Sequence, residues 1–439
     1  MDITIRVLQF LLSLSILVLL HELGHFVAAR LCGVRVDKFY IFFNPWFSLY
    51  KRQVGQTEFG VGWLPLGGYC KIAGMVDESV DTGQLKGEVR PDEFRAHPAW
   101  QRLLIISGGV LVNLVLAFLI YGALLYSNGR SYLATEDVRY GIVADSMAME
   151  MGFRHGDRLM AINGDSVEDF TEMLTATIIT PGARVTFMRG DSSHDITIDK
   201  SYLPALLSGR QLFGVRMPFI AERVVEGSAA ELAGLQKGDS LVAINGIPAS
   251  FFDEFRTAML THKEEQVSVT VSRSGRDTTL CIDVPETGIA GVQVLADMGR
   301  FFTISTKSYS LGGAMVAGVG HGWKKLVEYL KSLKLLFEPK AQAHKSIGGF
   351  ISIGKIFPTS WDWTVFWSLT AFLSLALAVM NFLPIPGLDG GHAVFIIYEM
   401  ITGHTPSERF MVAAQIIGMG FLLLVVLYAN ANDVIKLFN

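Results

Sequence analysis

Long runs without charge dominate the pattern of apolar and polar positions. Residues 103–126, 363–388 and 411–432 carry no charged side chain. Each run can cross roughly 30 Å of hydrocarbon as a helix, which takes about 20 residues. A fourth run begins at Val7 and stays uncharged to Leu20. It then meets His21-Glu22-Leu23-Gly24-His25 and resumes with Phe26-Val27-Ala28-Ala29. A cleaved signal peptide is the alternative for this first run. It would need basic residues before the apolar core and a small-residue cleavage site after it. Only Arg6 precedes the core, and Ala28-Ala29-Arg30 makes a poor site. The pattern therefore predicts four transmembrane helices within residues 1–30, 103–126, 363–390 and 411–432.

Basic residues near the span ends set orientation. Arg6 alone precedes the first span, whereas Arg30, Arg35 and Lys38 follow it. This predicts an outer N-terminus, a cytosolic-side region at 31–102, and an outer region between the second and third spans. That outer region is polar and contains a repeat. Gly152-Phe153-Arg154-His155-Gly156-Asp157 and the strand-and-turn sequence through Asn163-Gly164 recur 82 residues later as Gly234-Leu235-Gln236-Lys237-Gly238-Asp239 through Asn245-Gly246. Each copy reads as a Gly-Asp turn, a short strand and an Asn-Gly turn. Two copies at this period imply two α+β domains, at 127–210 and 211–290, not a solenoid. The linker at 291–362 carries an amphipathic pattern at 323–337. Trp323, Leu326, Val327, Leu330 and Phe337 share one face, opposite Lys324, Lys325, Glu328, Lys331 and Lys334. This reads as a helix lying on lipid, or as a packed surface helix.

Composition agrees with a membrane protein. Hydrophobic residues make up 50% of the 439 and charged residues 18%, against about 25% charged in soluble chains. The net charge of −4 gives no basic excess for binding nucleic acid. Cys32, Cys70 and Cys281 are odd in number and far apart, so no disulfide framework is expected.

The charged interruption of the first span carries the chemistry. His21 and His25, four residues apart on a helix, share one face and can reach one Zn²⁺. Glu22 can act as general base toward water acidified by the metal. Ionisable groups in a span are costly and are functional by default. A catalytic zinc needs a third protein ligand. Asp389 is a candidate, in Asn381-Phe382-Leu383-Pro384-Ile385-Pro386-Gly387-Leu388-Asp389-Gly390-Gly391-His392. The prolines must break the helix there and the glycines permit irregular backbone. His392 is a rival ligand on spacing alone. The segment 54–72 alternates in part and is glycine-rich. It is expected to present a strand edge to substrate through Val61, Gly62, Trp63, Gly67 and Gly68, with a plain cytosolic hairpin as the alternative.

Together these motifs resemble the site-2 protease family of intramembrane zinc metalloproteases, over nearly the whole chain. The two repeats resemble circularly permuted bacterial PDZ domains. The segment from Gly60 to Lys71 is similar to the family's membrane-associated β segment. The resemblance implies a polytopic α-helical membrane protein with four transmembrane helices, that β segment and two tandem PDZ-like α+β domains. It implies one Zn²⁺ per chain held by His21, His25 and Asp389, with Glu22 as catalytic base and Asn381 holding the substrate backbone. The family's second span usually carries Gly-Pro-x-x-Asn. Here Gly109-Val110-Leu111-Val112-Asn113 lacks the proline. Implied substrates are single-pass membrane proteins, such as anti-sigma factors and signal-peptide remnants, trimmed first by another protease. The implied setting is the bacterial inner membrane, with the PDZ-like domains periplasmic and the active site near the cytosolic side. A monomer is expected. Two rival functions are a membrane zinc hydrolase acting on lipid and a zinc-stabilised PDZ receptor without catalysis.

Overall fold

Apolar runs of this length satisfy their own backbone hydrogen bonds only as helices in lipid, and four such helices form. The computed structural model describes residues 2–65, 67–75, 88–207, 210–341 and 347–438. Residues 76–87 of the region expected on the cytosolic side, 208 and 209 near the junction of the repeats, and 342–346 of the linker lie outside the described residues. The chain divides into two compact units.

The first unit holds every helix long and apolar enough to cross a membrane among the described residues: α1 (Asp2–Leu31), α2 (Ala99–Asn128), α4 (Trp363–Phe382) and α6 (Glu408–Phe438). It also holds α3 (Leu311–Lys334) and α5 (Asp389–Thr402). Small residues let α1 and α2 approach closely. A Cβ on Gly24 would meet the Gly108 carbonyl and lie 2.9 Å from Gly109 Cα. Hydrogen bonds between buried polar side chains and their neighbours add to the helix packing. Thr370 Oγ1 donates to Ser13 Oγ at 3.0 Å, and Ser374 Oγ donates to the Asn113 carbonyl at 2.7 Å. On α6, Ile416, Ile417, Phe421 and Leu424 are exposed, as suits a helix facing lipid.

The expected third span is two helices. α4 stops at Phe382, because Pro384 and Pro386 cannot donate, and α5 begins at Asp389. The expected amphipathic helix also differs. α3 starts 12 residues earlier, at Leu311, and the chain tightens to a 3₁₀ turn at Leu335–Phe337. Gly318 and Gly322 pack closely against Gly122 and Phe118 of α2. α3 therefore packs along a span helix as well as exposing Trp323 and Leu330.

Between α1 and α2 lies a four-stranded sheet of β1 (Val36–Ile41), β2 (Tyr50–Val54), β3 (Thr57–Val61) and β4 (Tyr69–Ile72). The strand order is β2-β3-β1-β4. β3 is interior, and Val61 pairs with Tyr50 on one side and Ile41 on the other. Among the described residues β4 pairs with β1 alone and ends the strand order.

The second unit comprises Arg130–Lys307 and Leu335–Ala343. Its two repeats have the same strand order. The first runs Ser192–Thr197, Arg184–Arg189, Arg158–Ile162, Asp165–Ser166. The second runs Arg276–Asp283, Gln266–Arg273, Ser240–Ile244, Ile247–Pro248. The expected boundaries shift because strands pair across them. Phe213–Val215 completes the first repeat by pairing with Ile142–Ala144. Val292–Val294 pairs with Ala221–Val224, and Ile304–Lys307 pairs with Arg130–Leu133. Phe153, Phe187 and Phe213 are buried in one core; Phe219, Phe255 and Val269 in the other.

The repeat extends to single hydrogen bonds. Arg189 Nε and Nη2 donate to the two Asp157 oxygens, both at 2.8 Å, and Nη2 also donates to the Gly152 carbonyl. Arg273 does the same to Asp239, at 2.8 and 2.6 Å, and to Gly234. The Asn163 and Asn245 side-chain oxygens accept from the Arg184 and Ser268 amides, both at 2.9 Å. Asp239 is fully buried, so Arg273→Ala strands its carboxylate without the guanidinium. We expect a loss of about 1–3 kcal/mol, seen as proteolysis within the second repeat at lower urea than in the parent while the first repeat is unchanged.

Candidate metal centre

Helix geometry brings His21 and His25 to one face of α1, one turn apart. Their ring centroids are 4.8 Å apart and the planes nearly perpendicular, at 82°. The two Nε2 atoms are 3.3 Å apart. The turn that ends α4 delivers Asp389 as the first residue of α5. Gly387 adopts φ +100° there. A Cβ at Gly391 would fall 2.5 Å from the Ile385 carbonyl oxygen, so glycine is needed for the turn to fold back over the start of α5. An Arg102–Glu399 ion pair holds the far part of α5 to α2, and Ala393 and Ile396 are buried in a core shared with Ala28, Ala29 and Ile105.

Asp389 Oδ2 lies 3.3 Å from each histidine Nε2. The three atoms thus form a triangle with equal sides. Tetrahedral coordination with bonds of about 2.0–2.1 Å spaces its ligands about 3.3 Å apart. Asp389 Oδ2 is buried and has no hydrogen-bond partner. The carboxylate oxygen is therefore better explained as a metal ligand than as a hydrogen-bond acceptor. The donor set, two imidazoles and one carboxylate, suits a catalytic zinc with one open position. Among the described residues this is the group whose ligand atoms converge. His392 lines the same cavity but is not part of that group.

The cavity measures about 580 Å³ and is lined by His21, His25, Asp389, Glu22 and β4 residues including Tyr69 and Cys70. Glu22 faces Cys70 of β4 across this cavity. Gly68 lies against it, since a Cβ there would come 3.3 Å from Glu22 Cγ. Asn381, in the last turn of α4, places Nδ2 3.2 Å from His21 Nε2. Behind β4, the Tyr40 and Tyr69 rings stack at 5.1 Å, with a 1° interplanar angle. Tyr40 donates to Glu58 at 2.8 Å. Burial, together with that bond, pushes its phenol above the ordinary range, so it remains a donor that ties β1 to β3.

The site residues expected from the sequence separate into two groups. His21, Glu22, His25, Asp389, Asn381 and Gly68 come together. Val61, Gly62 and Trp63 do not line the cavity. Gly62 N–H donates to the Ile41 carbonyl at 2.8 Å, and the Trp63 indole donates to Pro45 and stacks between Trp46 and Phe47. Gly67 packs on Phe43. The strand bordering the site is β4, so of the expected 54–72 segment it is residues 68–72 that line the cavity. α2 contributes the Ile105 carbonyl, which no motif marked, and Gly109 and Asn113, which the Gly109-Val110-Leu111-Val112-Asn113 motif had singled out.

The family model described as Peptidase family M50 matches residues 9–425. A Neisseria meningitidis protein named "Putative zinc metalloprotease" is 31% identical, over 98% of this chain and 99% of its own length. A Xylella fastidiosa protein of the same name is 30% identical, over 97% of each chain. The regulator of sigma-E protease RseP of Escherichia coli is 28% identical, over 98% of each chain.

Proposed function

The chain belongs to peptidase family M50 and is a metalloprotease, and from that premise we propose that it cleaves single-pass membrane proteins within the bilayer, using one zinc ion per chain. The observation that carries this reading is the 3.3 Å triangle of His21, His25 and Asp389, with both histidines on a helix long and apolar enough to cross a membrane. When bound, zinc supplies Lewis acidity, acidifying water and polarising the scissile carbonyl. Glu22 takes the water proton as the hydroxyl adds to the carbonyl carbon. It then returns the proton to the amide nitrogen as the C–N bond breaks. Asn381 is placed to hold the substrate backbone beside His21.

A helical substrate hides its carbonyls in its own hydrogen bonds, so it must unwind locally before attack. Extended substrate can be stabilised by adding a strand to a sheet edge, and β4, the outermost strand of the sheet among the described residues, lies beside Glu22. A photo-crosslinker at Lys71 is expected to capture a substrate span several-fold more than one at Val61. Equal capture at both positions would remove β4 from the pathway.

The two repeats are read as PDZ-like domains on the periplasmic side that exclude untrimmed substrates. The zinc site then lies near the cytosolic face of a bacterial inner membrane. The relatives named regulator of sigma-E protease support anti-sigma factors as one substrate class, with signal-peptide remnants as another. A panel of radiolabelled single-pass proteins and lipid esters tests the reading. Hydrolysis of a peptide bond in a span, lost on chelation and restored by zinc, is expected. Turnover of lipid esters alone would overturn it.

A further inference from the structure

Both imidazoles must present a bare Nε2 if they are to bind a metal, and a neutral ring carries one N–H. The other nitrogen therefore needs an acceptor for its proton. For His25 the acceptor is evident: Nδ1 lies 3.0 Å from the Ile105 carbonyl oxygen, which cannot donate. For His21 the group facing Nδ1 is the side-chain amide of Asn113, with Nδ2 at 3.1 Å. Asn113 is completely buried, and its Oδ1 has no partner where it points. A donor opposite Nδ1 would put the His21 proton on Nε2, pointing at Asp389 and His25. The two ends of an amide have the same shape. The reverse rotation places Oδ1 against Nδ1 and takes it from a position where it bonds to nothing.

We infer that Asn113 is a positioning residue for the metal: its side-chain oxygen accepts the His21 Nδ1–H and fixes the tautomer whose Nε2 faces the zinc. The backbone of α2 is built to bring it there. A Cβ at Gly109 would lie 2.6 Å from His21 Cε1, so only glycine lets α2 approach both rings and present Asn113, one turn later, at ring height. The Ser374 hydroxyl, bound to the Asn113 carbonyl at 2.7 Å, fixes that stretch of α2 against α4. Thus α2 sets both tautomers, one through a main-chain oxygen and one through a side chain.

The test is the zinc affinity of the full-length chain in detergent, measured by competition with a chromophoric chelator, for the parent, Asn113→Leu and Asn113→Asp. Leu matches the shape but accepts nothing, so a loss of about 10–100-fold is expected. Asp can only accept, and it should keep affinity within about threefold of the parent, as a carboxylate–histidine–zinc arrangement does. A packing role predicts the opposite order, with Leu retained and Asp lost, and would overturn the inference. So would a donor role, in which Asp is as weak as Leu. If Asn113→Leu does not fold, Asn113→Asp decides alone, because acceptor and donor roles predict opposite results for it. The inference rests on the zinc site proposed above. Failure of the parent to bind zinc would defeat that site, whereas a zinc-replete parent with an unaffected Leu variant would defeat this inference only.

Discussion

Glu22→Gln is expected to lower cleavage by about 10³–10⁴-fold while leaving zinc in place. Gln has the same shape, but it cannot take a proton from water. Glu22 is not one of the three atoms in the ligand triangle, so the metal has no reason to leave. The check is a pair of measurements on one preparation: cleavage rate against a single-pass substrate, and zinc per chain by elemental analysis. Zinc lost along with activity would make Glu22 a ligand. Cleavage retained would remove it as the base.

Asp389→Ala is expected to have the other large effect, abolishing both zinc binding and turnover. It removes the only carboxylate of the triangle. The loss in zinc affinity should exceed the roughly 100-fold that removal of a supporting partner costs. The start of α5 should survive the change, because Arg102–Glu399 and the burial of Ala393 and Ile396 hold that helix independently. Far-ultraviolet circular dichroism is therefore expected to match the parent while zinc is gone. His392→Ala is the companion variant. It lines the cavity outside the ligand triangle, so zinc should remain. Zinc lost from His392→Ala and kept by Asp389→Ala would exchange their roles.

Much of this was legible in the sequence where the signal is local. Two histidines four residues apart lie on one helix face whatever surrounds them, so His21 and His25 could be paired before any fold was known. The repeat was legible for the same reason: Asp157 and Asp239 sit in the same short Gly-Asp turn and take the same arginine clamp. Pro384 and Pro386 announced a helix break because proline cannot donate. Other features were hidden. The start of α3 at Leu311 shows only once Gly318 is placed against Gly122 of α2. Val61 looked like an edge because alternation along one strand does not reveal its neighbours. The intervention of β1 between β3 and β4 made β3 interior and gave the edge to β4.

The sequence by itself determined the spans, the helix that pairs His21 with His25, and the duplicated unit, because each depends on local spacing. Only the tertiary structure decided that Asp389, not His392, completes the triangle, that β4 borders the site, and that Asn113 stands behind His21. Those outcomes depend on distances between elements far apart in the chain. Such distances are fixed by which helices can approach closely, here where Gly24 meets Gly108 and Gly109, and by which strands pair.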